Sequence, residues 1–243
     1  MFTEKGKRKR GRPAGETAQG VAARQKLYDT AITLIGERGF DQTTLRDVAA
    51  RAGVSVGLLY RYFPSKQAVV LALYDELSAE QSAHAEATPR GKWRDRFSFT
   101  LETSLTILGP HRQTLTALIP VLVSNAPDGL FSGTTAFSRE RVQRVYQDSV
   151  LGATDAPRAE VAAALGRLLY LAHLGVVLWW LLDKSPQQRA TRALVRLMTG
   201  ALPAAAMTLR LPKVGAFILA GDRLFQEALI GEPPVAQGPV ALG

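Results

Sequence analysis

Apolar residues recur at helical spacing from Val21 onward, with Leu27, Ala31, Leu34 and Ile35 on one side, until Gly39, a residue suited to closing a helix. A second pattern starts at Thr44, whose side chain can cap a helix while Asp47, three positions on, sits in the electropositive first turn. Leu45, Val48, Ala49 and Ala52 form the apolar side of that short helix, and Gly53 ends it. Ser55 then caps another, in which Leu59 and Phe63 are the expected buried pair. Pro64 stops it, and Ser65 begins a longer helix through "KQAVVLALYDELSAEQ". Two short helices joined by a three-residue turn containing glycine predict a helix-turn-helix.

Beyond residue 90 the pattern stays helical. Trp93, Phe97, Leu101, Leu105 and Leu108 share a face that ends at Gly109 and Pro110. A helix is expected over 111–123, a turn at "SNAPDG", and an amphipathic helix through "FSRERVQRVYQDSVLG". The segment 158–184 is apolar nearly all round in its second half, which means burial on several sides. Ser185 and Pro186 open a helix over 186–202, a shorter one follows over 216–229, and the Pro/Gly-rich tail is expected to fray. No alternating strand pattern and no internal repeat is present, so the expected fold is all-α.

Composition narrows the chemistry. With 243 residues, 47% of them hydrophobic, the chain has ample material for a core. Cysteine is absent, which excludes disulfides, thiolate metal sites and cysteine nucleophiles, and fits a cytoplasmic protein. The net charge is +9, and residues 1–26 hold eight Lys or Arg against Glu4 and Glu16. Charge gathered at one end points to a polyanionic partner more than to general solubility. The basic residues are followed by "GRPAGETAQG" rather than by an apolar stretch, so no signal peptide is expected. The longest apolar run, "LGVVLWWLL", falls short of the roughly 20 residues of a spanning helix, and a soluble protein is expected. Residues 1–20 carry almost no large apolar side chain and are expected to be a disordered arm.

The second helix of the pair is about two turns long, the right size to enter a major groove while its predecessor crosses the backbone. Ser55, Tyr60 and Lys66 are donors suited to phosphate, and Arg61 and Tyr62 could reach phosphate or base edges. Val56 and Gly57 lack hydrogen-bonding side chains, so readout there would be by close backbone approach or methyl contact. The stretch "GFDQTTLRDVAARAGVSVGLLYRYFPSKQAVV" closely resembles the DNA-binding domain of the TetR family of bacterial transcriptional regulators. That resemblance implies that Thr44 donates to phosphate and that Arg46 projects toward a base, where arginine can be bidentate to guanine.

The same resemblance implies a division into the arm 1–20, a three-helix DNA-binding domain over 21–66, a larger helical ligand-binding and dimerisation domain over 67–228, and a flexible tail over 229–243. It also implies a homodimer built through the helices 158–184 and 186–202, a palindromic operator, and release by a small molecule, repression being the usual mode of proteins that look like this. Trp93, Phe97, Phe131, Phe137, Tyr146, Tyr170 and His173 are the candidate pocket residues for an apolar or amphipathic effector, each competing with a plain core role. In the arm, Arg10, Gly11, Arg12 and Pro13, within "KRKRGRPAG", resemble an AT-hook core, an extended Arg-Gly-Arg laid along a narrow minor groove. An architectural protein coating A·T-rich DNA without an effector is the alternative. An enzyme is disfavoured: His84, His111 and His173 are scattered without metal-ligand spacing, and neither cofactor nor metal is expected.

Overall fold

The first helix, α1 (Ala18–Arg38), ends where Gly39 takes a positive φ of 91°, a conformation that costs glycine little. The computed structural model describes residues 18–209 and 211–231; the basic arm with Arg10 and Arg12, and most of the tail, lie outside the described residues. All regular structure among the described residues is helical. The chain divides into two compact units at Val69 and Val70, inside the fourth helix.

In the first unit, α2 (Leu45–Ala52) and α3 (Val56–Tyr62) follow α1, and α4 (Lys66–Ala85) begins. Its core takes Leu27, Ala31, Leu34 and Ile35 from α1, Leu45, Val48, Ala49 and Ala52 from α2, and Leu59 with Phe63 from α3 and its cap. Tyr28 stacks on Phe63 with ring centroids 6.4 Å apart, and the Arg24 guanidinium lies 5.5 Å from the same ring. The buried Thr43 hydroxyl is placed against the Leu34 and Gly39 carbonyls, at 3.2 and 2.8 Å, tying the α1–α2 link to the end of α1.

The second unit holds the rest of α4, then α5 (Trp93–Leu108), α6 (Arg112–Ala117), α7 (Ile119–Leu122), α8 (Ala136–Leu151), α9 (Ala159–Leu182), α10 (Arg189–Thr208) and α11 (Pro212–Phe225). One helix was expected over 111–123; two short ones form instead, because Pro120 has no N–H to return to the preceding turn. Pro203, by contrast, is accommodated within α10, which runs to Thr208 rather than stopping at 202. The last helix starts at Pro212, earlier than expected, and closes through a π-turn over Gln226–Ile230.

The helices α8 and α9 make the tightest crossing. A Cβ built on Gly166 would lie 2.4 Å from Gln147 Cα, so only glycine lets the two backbones approach this closely. On another side of α9, Arg167 forms a two-pronged ion pair with the buried Asp222 of α11, at 2.7 and 2.5 Å, and Gln226 donates to the same carboxylate. At the end of α9, the Arg112 guanidinium donates to the carbonyls of Trp180, Leu181 and Asp183, supplying partners that the last turn lacks. The connection to α10 holds Gln187 and Gln188 at positive φ, 53° and 56°.

The 24-residue α9 is longer than its longest uninterrupted apolar run, and by length and composition alone it could cross a bilayer, with a mean hydropathy of 1.8 over an 18-residue window. That corrects the expectation that no segment reaches this threshold. It packs against α5, α8, α10 and α11, and Arg167 in its first half pairs with the buried Asp222.

Candidate nucleic-acid interface

The helix-turn-helix is held by local hydrogen bonds that its sequence dictates. Thr44 Oγ1 accepts from the Asp47 N–H at 3.1 Å, and the Asp47 carboxylate accepts from the Thr44 N–H at 3.0 Å, a complete capping box. Hydrogen bonds from the Thr44 hydroxyl and then the backbone hold the Asp47 carboxyl below the usual carboxylate range. Gly53 adopts φ 68°, and its N–H returns to the Ala49 and Ala50 carbonyls. Ser55 Oγ accepts from the Leu58 N–H at 3.2 Å and starts α3. From the far side, Arg51 of α2 forms a two-pronged ion pair with Glu37 of α1, which fixes the two helices to each other.

These constraints leave one face of α3 uncovered. Leu59 and Phe63 point inward, whereas Val56, Gly57, Tyr60 and Arg61 are exposed, with Tyr60 at 49% the most open apolar surface of the helix. Gly57 has an ordinary helical backbone, and a Cβ added there would meet nothing within 4 Å. The fold does not require glycine at that position. Arg46 is exposed on α2, as is Thr44 at its cap. Tyr62 is half-buried beside Arg61, whose guanidinium lies 6.0 Å from the ring.

Two expected phosphate donors prove to have duties in the fold. The Thr44 hydroxyl is 2.6 Å from the Asp47 carboxylate, so its proton is already committed. Lys66 Nζ donates to the Phe40 carbonyl at 2.7 Å and sits 4.4 Å from the Phe40 ring, leaving only its remaining ammonium hydrogens for an outside partner. The Ser55 hydroxyl proton, by contrast, has no acceptor among the described residues.

In the second unit the candidate pocket aromatics divide. Phe97, Tyr146, Tyr170 and His173 are buried and pack together, with His173 stacked on Tyr146 at 4.8 Å and Phe97 6.0 Å from Tyr146. Phe131 packs edge-on against Phe225, while Trp93 and Phe137 line separate clefts and Phe137 is exposed. Ser104 on α5 lies 2.7 Å from His173 Nε2, a pairing missed in the sequence. Its signal was available: Thr100 and Ser104 interrupt the buried side of α5 one turn apart. His173 Nδ1 and Thr100 Oγ1 are buried without a hydrogen-bond partner among the described residues. Burial holds the imidazole neutral, its pKa drawn down to about 3.

Comparison with known proteins bears on the first unit most directly. Residues 27–73 match the family model of the bacterial regulatory proteins of the tetR family. The chain is 45% identical over 58 residues to the HTH-type transcriptional repressor KstR2 of Rhodococcus jostii (strain RHA1), covering 24% of this chain and 28% of that protein. It is 42% identical over 72 residues to the HTH-type transcriptional repressor KstR of Mycobacterium tuberculosis, covering 27% and 33% respectively. The matched segments thus span a third or less of these curated relatives. The fold as a whole resembles a tetR-family transcriptional regulator from Streptomyces coelicolor, with a TM-score of 0.56, 21% identity, and coverage of 83% of this chain and 88% of that one. A TetR transcriptional regulator from Nitrosomonas europaea gives 0.55 and 21%, over 74% and 97%.

Proposed function

We propose, from the premise that this chain belongs through its helix-turn-helix to the tetR family of bacterial regulatory proteins, that it is a repressor which binds a palindromic operator as a homodimer and leaves it when a small molecule binds. The carrying observation is the open face of α3. Val56, Gly57, Tyr60 and Arg61 are turned outward on a rigidly capped helix, and the glycine among them answers no need of the fold. A residue without a side chain on an exposed helical face suits close approach of another backbone. Arg46 reads a base, Ser55, Tyr60 and Arg61 hold phosphates, and Thr44 and Lys66 hold the helices in place through their hydrogen bonds to Asp47 and Phe40.

The basic arm extends this reading. Arg10 and Arg12 enter the minor groove beside each half-site, giving preference for A·T flanks, and deletion of residues 1–13 costs more affinity on A·T than on G·C flanks. The effector acts at the aromatic core, where His173 Nδ1 and Thr100 Oγ1 are buried polar atoms in want of partners.

Selection of bound fragments from genomic DNA by the full chain identifies the operator, and titration of that DNA at several salt concentrations tests the docking. Arg61→Ala and Tyr60→Ala should each weaken binding to all sequences, the first lowering the salt slope by about 1. Arg46→Ala should relax preference at a single base position in each half-site. An unchanged slope and affinity in the double variant of Tyr60 and Arg61 would remove α3 from the interface.

A further inference from the structure

We infer that the cleft bounded by the N-terminal ends of α5, α9 and α11 and by the C-terminal end of α10 binds an amphipathic anion, a carboxylate carried on a hydrocarbon chain. The cleft has a volume of 890 Å³ and is lined by none of Phe97, Tyr146, Tyr170 and His173, while its Trp93 packs into the same core as the first three. It therefore goes beyond the effector site proposed above and does not depend on the DNA-binding reading.

Its lining combines two chemistries. Trp93, Val161, Met207, Leu211 and Leu219 are apolar lining, and Met207 and Leu211 are 77% and 56% exposed. Such surface is costly to leave in water and suits a hydrocarbon chain. The same lining carries Lys92, Arg94 and Arg158. The side chains of Lys92 and Arg158 form no ion pair among the described residues, and Arg94 is held only at 3.4 Å by its neighbour Asp95. Of the two lining carboxylates, Asp155 is already an acceptor for the Trp93 N–H at 2.8 Å, which leaves Glu160 exposed at the rim.

The combination selects the ligand class. A purely apolar molecule would desolvate Lys92 and Arg158 with nothing to replace their water. A small inorganic ion would leave the apolar walls wet. An anionic head near the cations, with its chain along the apolar lining, satisfies both, and the volume lies within the range of small-molecule sites.

The test titrates the full chain with decanoate by calorimetry, with decyltrimethylammonium and 1-decanol as probes of equal chain length and different charge. Decanoate should bind and decyltrimethylammonium should not. The double variant Lys92→Glu, Arg158→Glu should bind decanoate at least about tenfold more weakly. Ala216→Trp, which fills the cleft from an exposed position without changing its charge, should lose binding as well. Circular dichroism of each variant verifies that it is folded. Equal affinity of the charge-reversed variant, equal binding of the cationic probe, or loss of decanoate binding in His173→Leu in place of the cleft variants overturns the proposal. So does sedimentation of the wild-type chain as a dimer that Met207→Glu dissociates, since a second copy would then be covering these walls.

Discussion

Glycine 57 separates the demands of folding from those of recognition within one residue. Because a methyl group there would meet only solvent, Gly57→Ala should leave thermal stability unchanged or raise it by up to about 1 kcal/mol, as alanine favours helix. Operator affinity, measured by fluorescence anisotropy, should nevertheless fall; retained affinity would show that nothing approaches this face closely. His173 carries the opposite burden, a buried group whose protonation opposes folding. Between about pH 6.5 and its folded pKa of about 3 the unfolded chain binds a proton that the native state refuses, so stability is full above this window and declines as pH falls through it. The decline can reach about 1.4 kcal/mol per pH unit. His173→Gln should flatten the urea midpoint between pH 7 and pH 5; an undiminished slope would assign the titration to another group. Sequence reasoning found both residues but not their surroundings. The i, i+3 and i, i+4 spacings announce helix faces, whereas the pairing of Ser104 with His173 joins residues 69 positions apart, beyond the reach of any local pattern.

At the scale of elements, legibility followed the density of punctuation. The helix-turn-helix could be read to within a residue because Thr44, Gly53, Ser55 and Pro64 each fix a boundary by local hydrogen bonding or backbone restriction. Thr44→Ala removes the capping box and should cost about 1 kcal/mol in urea unfolding. Operator affinity at fixed folded fraction should change less than in the Arg61 variant, because the hydroxyl proton is already committed to the Asp47 carboxylate. Elsewhere the punctuation misled. Pro120 stands in the first turn of a new short helix, whereas Pro203 lies inside a helix that continues past it, and the residue type alone does not distinguish the two. The α8–α9 crossing was equally hidden, since nothing around Gly166 marks it as more than a tolerated glycine. Gly166→Ala forces a backbone shift at Gln147 and should destabilise by about 1–3 kcal/mol. If its melting temperature matches the wild type, the helices can part at little cost.

For the molecule as a whole, the unsatisfied surface matters as much as the satisfied core. Leu178, Trp179 and Leu182 leave the second half of α9 with exposures of 39%, 51% and 56%, while Leu197 of α10 reaches 74%. Proposed pairing of these helices with a second copy predicts that Trp179→Glu with Leu182→Glu sediments as a monomer and binds a palindrome no better than a half-site. A dimer of undiminished affinity would place the interface elsewhere. α10 itself buries only Thr191 and Leu202 along its 20 residues and contains a proline, so its own unit holds it weakly. Where pairing supplies the missing burial, the helix folds fully only in company. Its amides should then exchange with deuterium quickly in dilute solution and slowly in concentrated solution. The number of copies in a cell would thereby set how many are intact enough to act, making occupancy of DNA a steep function of the protein's own abundance.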